Sequence, residues 1–81
     1  MPSSGDLREQ LLTKAEFWRS LWLADEPEAC TMAAVQTFEV IDSMDLRPPH
    51  GATLLMVTSR YVNTGDRAEL DALLTEIANQ T

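Results

Sequence analysis

Apolar side chains recur at steps of three and four through most of this chain, and no other feature narrows its fold so far. Leu7, Leu11, Ala15, Trp18 and Trp22 are spaced four, four, three and four residues apart, which is one face of a helix. Ser3 or Ser4 can cap that helix, and Asp6 then stands in the first turn, where the helix dipole favours an anion. Phe17, Leu21 and Leu23 widen the apolar face beyond what a single packing neighbour needs. A helix over 4–24 is expected.

Asp25 is a suitable N-cap for a second helix, and Pro27 is tolerated in its first turn. Cys30, Ala34, Phe38, Ile41 and Met44 follow at steps of four, four, three and three, predicting a helix over 26–44. Pro48 and Pro49 end it, because a proline disfavours the helical region for the residue before it. After the loop at 47–51, Leu54, Val57 and Tyr61 fit a helix over 52–62. Gly65 suits the left-handed residue that closes a helix. Asp66 caps the next one, and Glu69 three residues on completes a variant of the capping box. Leu70, Leu73, Leu74 and Ile77 mark a last helix over 66–80, forming an αα-hairpin with the third.

The expected fold is therefore all-α: a small four-helix bundle-like single domain over 1–81. The alternative is α+β, in the order α-β-β-α. Residues 35–42 and 53–62 also carry strand formers and would pair as a central hairpin. Its loop of about ten residues is longer than most hairpin loops, which favours the helices.

Charge then limits the function. The 81 residues hold 6 basic and 13 acidic side chains, a net −7. That balance lacks the basic footprint of a protein that binds nucleic acid directly or sits on an anionic membrane. Residues 25–45 hold Asp25, Glu26, Glu28, Glu39, Asp42 and Asp45 with no basic residue. The opening MPSSGDLREQ has no basic and apolar signal pattern, and no apolar run approaches the ~20 residues that span a bilayer. One cysteine cannot form an internal disulfide. A cytoplasmic protein is expected. A core this small leaves a thin stability margin, which association with a partner or a second copy would widen.

No constellation points to catalysis. Cys30 and His50 are the only Cys and His, and nothing in their spacing joins them as nucleophile and base. Glu39, Asp42 and Asp45 make at most a weak carboxylate edge without the glycine turn of a calcium loop. The three glycines form no phosphate cradle. The expectation is no enzyme, with no catalytic, cofactor or metal site.

Asp42-Ser43-Met44 resembles the Asp-Ser-Leu/Met site at which acyl carrier proteins take their phosphopantetheine arm. Length, acidity and four helices are also similar to that family. The resemblance implies a carrier modified on Ser43. In the family the serine opens a long helix, whereas here Pro48 and Pro49 follow closely.

The main expectation rests on the aromatic cluster. Phe17, Trp18, Leu21, Trp22 and Leu23 fall within seven residues, and tryptophan is enriched at interface hot spots. The chain reads as a non-enzymatic protein-binding module, a small regulator, inhibitor, adaptor or accessory subunit. Phe17, Trp18, Leu21 and Trp22 would form the patch, and Glu28, Glu39 and Asp42 an acidic face. The partner is a protein with a basic surface, or a second copy in a homodimer. The alternatives are the carrier reading and a small subunit of a multi-chain enzyme.

Overall fold

The periodicity of the sequence becomes helix wherever it was strongest. A computed structural model describes residues 4–79, with side chains from Asp6 onward. Its elements are α1 (Ser4–Leu23), α2 (Pro27–Ser43), α3 (His50–Thr64) and α4 (Ala68–Asn79), with no strand among the described residues. The α-β-β-α alternative is thereby corrected. Both candidate strands are helical, since their apolar residues can reach the core only at helical spacing: Val57 and Tyr61 are buried one turn apart, beside Leu54. The cap expected of Ser3 or Ser4 lies outside the described side chains.

α1 packs along α2 and also against α3, whereas α2 and α3 touch each other least of these three; α4 packs on α3. The core takes Leu11 and Ala15 from α1, Val40 and Ile41 from α2, Leu54, Val57, Tyr61 and Val62 from α3, and Leu70, Leu73 and Leu74 from α4. Two threonines are buried with it. Thr37 donates to the Ala33 carbonyl at 2.8 Å and Thr58 to the Leu54 carbonyl at 2.7 Å. Each hydroxyl thus satisfies itself within its own helix and presents its methyl to the neighbours.

The face of α2 is rotated from the expected one. Cys30, Ala33, Thr37, Val40 and Ile41 are buried, whereas Ala34 is half-buried and Phe38 exposed. The sequence alone concealed this because Thr37 reads as polar, although its hydroxyl never needs water.

Helix ends depart from expectation in two places. Asp25 is not the N-cap of α2. It closes α1 in the left-handed region, φ 57°, and the cap position falls to Glu26 without a side-chain bond. Its N–H donates to the Trp22 carbonyl at 3.2 Å and that of Glu26 to the Leu21 carbonyl at 3.2 Å, the paired bonds of a Schellman ending. Asp45, φ 51°, stands likewise after α2. Gly65, φ 79°, closes α3 as expected, its N–H donating to the Tyr61 carbonyl at 2.7 Å.

The capping box before α4 forms by half. Asp66 accepts from the Ala68 N–H at 3.0 Å, but the Asp66 N–H donates to the Thr64 hydroxyl at 3.2 Å. Glu69 is held instead by Arg60, at 2.6 and 2.8 Å. A full guanidinium charge outbids one exposed amide for that carboxylate.

Candidate functional site

Light contact between α2 and α3 leaves a seam between them, into which the C-terminal end of α1 reaches. Two hollows follow each other along it. The first, about 420 Å³, lies between the α1–α2 turn and the C-terminal end of α3. Trp18, Leu21 and Trp22 line it from α1, with Cys30 and Ala34 from α2 and Ser59 and Val62 from α3. The second, about 380 Å³, takes Phe38 and Ile41 from α2 and Gly51 and Leu55 from α3. One turn separates Ala34 from Phe38, and one turn separates Ser59 from Leu55, so the two hollows are consecutive stretches of the same antiparallel seam. Trp18 meets Phe38 edge to face, with ring centroids 5.5 Å apart and planes at 86°, a favoured aromatic geometry.

The expected binding residues divide. Trp18 and Leu21, half-buried, and Trp22, 51 % exposed, line the first hollow together. Asp42 lines the second. Phe17 is 53 % exposed and lines neither. Glu28 and Glu39 are exposed on α2 and also stand outside both hollows. Of the α2 stripe at Cys30, Ala34, Phe38 and Ile41, the sequence's apolar face of α2, Cys30 and Ile41 are buried and Ala34 and Phe38 open to the seam, which all four line.

Acids mark both ends. Asp25 and Glu26 line the first hollow, Asp42 and Asp45 the second, and no basic side chain lines either. None of the six acids between 25 and 45 joins an ion pair among the described residues. Asp42 lies in the last turn of α2, which has no basic residue, and the helix dipole opposes an anion there.

Other chemistry-bearing groups stay apart. Cys30 lines the same hollow as Val62, near the end of α3, while His50 opens that helix. Twelve residues of helix separate those ends by ~18 Å. Ser43 is the last residue of α2, and its hydroxyl donates to the Glu39 carbonyl at 2.9 Å. No group of three His, Cys, Asp or Glu side chains could hold a metal ion among the described residues. No described helix is long and apolar enough to cross a membrane.

Two features of the site were missed in the sequence. One is the α3 wall, Gly51, Leu55, Ser59 and Val62. Its step-of-four pattern was present but overshadowed by the stronger Leu54–Val57–Tyr61 face. The other is Arg19, whose Nη1 donates to the Val62 carbonyl at 2.8 Å. It satisfies the end of α3 from across the molecule, and no local pattern announces such a contact.

Compared with known proteins, the chain matches no family model, no curated protein and no solved structure.

Proposed function

We propose that this chain is a non-enzymatic protein-binding module that recognises its partner through the aromatic end of the α2–α3 seam and the acids around it. The observation that carries this reading is Trp22. A side chain of that size stays 51 % exposed beside Trp18 and Leu21 in an open hollow, where burial by a partner would remove much apolar surface from water. Asp25 and Glu26 at the same hollow favour a partner with a basic surface.

The test is affinity capture from native-host lysate with the wild-type chain and with Trp22→Ser/Asp42→Lys. Both must show the same helical circular dichroism and cooperative urea melt. Proteins retained by the wild type and lost by the variant are expected. The same retained set on both, or none on either, overturns the reading.

A further inference from the structure

We propose that the occupant of the α2–α3 seam is an amphipathic helix of a partner protein, with basic residues in both its first and last turns. This rests on the binding-module reading and adds the shape and charge of the partner. The walls are two antiparallel helices, with Ala34 and Phe38 of α2 and Leu55 and Ser59 of α3 accessible one turn apart above the buried Cys30, Ile41 and Val62, and the end of α1 bordering the first hollow. Such a trough accepts the ridge of a third helix. Ala34 and Ser59 line the first hollow from α2 and α3 as small residues, so a backbone can come close there, while Trp18, Trp22 and Phe38 supply the apolar contact. With no strand among the described residues, there is no described sheet edge for an extended peptide to join.

Charge chooses the partner. Glu26 and Asp42 stand at opposite ends of the seam, from the cap position of α2 to its last turn, or ~24 Å along the helix. Neither joins an ion pair among the described residues, and Asp42 remains at the helix end that disfavours it. A helix with Lys or Arg on its seam-facing side in both terminal turns would complete both ends at once. A second copy of this chain, at −7, brings the wrong sign to both.

The experiment selects on the full chain from a displayed library of amphipathic peptides about 18 residues long, or ~27 Å as helix. One face is drawn from Leu, Ile, Met and Phe, and the terminal turns are randomised among Lys, Gln and Glu. Lysine should enrich in both terminal turns. An enriched peptide should quench or shift tryptophan fluorescence, and Ala34→Gln or Ser59→Gln, each filling the trough without changing charge, should weaken it at least about tenfold. Glu26→Lys/Asp42→Lys should reverse the preference toward glutamate. Absence of enrichment, enrichment without end charge, or equal binding by both filling variants overturns the proposal. So does sedimentation of the free chain as a dimer that Ala34→Gln dissolves, since the occupant would then be a second copy. If these fail while lysate capture still depends on Trp22 and Asp42, the helical occupant is wrong and the binding module stands. If capture fails as well, both fall.

Discussion

The side of the molecule built around α4 and the side built around the α2–α3 seam are finished differently. On the α4 side the packing is closed. Leu11, Leu54 and Leu70 are fully buried together. The three ion pairs among the described residues all gather there: Arg60 with Glu69, and Arg67 with Glu16 and with Asp71. Along the seam, Phe38 and Trp22 remain exposed, and the acids at its ends have no cation. The contrast shows where a small chain places its stability and where it leaves surface. Closing the seam with one more helix would bury its aromatic residues, and none of the four described helices covers them.

The largest effect should separate the two sides outright. Leu54→Ala or Leu70→Ala removes a fully buried side chain and should cost about 2–5 kcal/mol in a urea melt. Trp22→Ala, half in solvent already, should cost less than about 1 kcal/mol despite its greater size. Trp18→Ala falls between them, at about 2–3 kcal/mol, because its partly buried ring holds Phe38 edge-on. A loss at Trp22 equal to that at Leu54 would erase the contrast and make the first hollow part of the core.

A middle effect tests the lock on α3. Gly65 has φ +79°, and a Cβ built there would meet Arg19 Nη2 at 2.7 Å and Cζ at 2.9 Å. Gly65→Ala should therefore cost about 1–2 kcal/mol, from the left-handed backbone alone. Displacing Arg19 from the Val62 carbonyl would add to this. Arg19→Met, which keeps the apolar stem, isolates the second part. If both substitutions are silent, the end of α3 is not fastened from α1.

The sequence made the four helices legible because each has an apolar face at helical spacing and each of the three breaks has a proline or glycine in it or directly after it. It made half of the site legible. Trp18, Leu21 and Trp22 could be singled out by their size and clustering, and Asp42 by the run of acids around it. The rotation of α2 was not legible. Phe38 outranks Thr37 on any apolar reading, yet Thr37 is the buried one because its hydroxyl bonds to Ala33 inside the helix. The seam itself was hidden for a related reason. It is a property of how α2 and α3 diverge, and residues such as Ala34 and Ser59 matter there through their smallness.

A smaller effect has opposite signs in stability and in binding. Asp42 faces the negative end of the α2 dipole without a partner. Asp42→Lys should raise stability by about 0.5 kcal/mol, visible as a higher urea midpoint at low salt. The same change should weaken capture of the partner. A destabilised variant would mean that Asp42 serves the free fold, and the distinction between a finished side and an open one would blur at this end.

The smallest effect sits on the finished side. Glu69 and Arg60 are 47 % and 49 % exposed at their side chains, so their bond should contribute only about 0.3–0.5 kcal/mol. Glu69→Gln is informative because glutamine can still serve a capping box but cannot hold an ion pair. If Glu69 works through Arg60, then Glu69→Gln, Arg60→Gln and the double variant should lose similar amounts, and the loss should vanish near 1 M salt, where the screening length is ~3 Å. Thr64→Ala, which removes the acceptor of the Asp66 N–H, should keep its loss at any salt. Were Glu69→Gln neutral while Arg60→Gln destabilised, the arginine would be acting alone. The α4 side would then owe less to paired charge than its geometry indicates, and its difference from the seam would rest on packing.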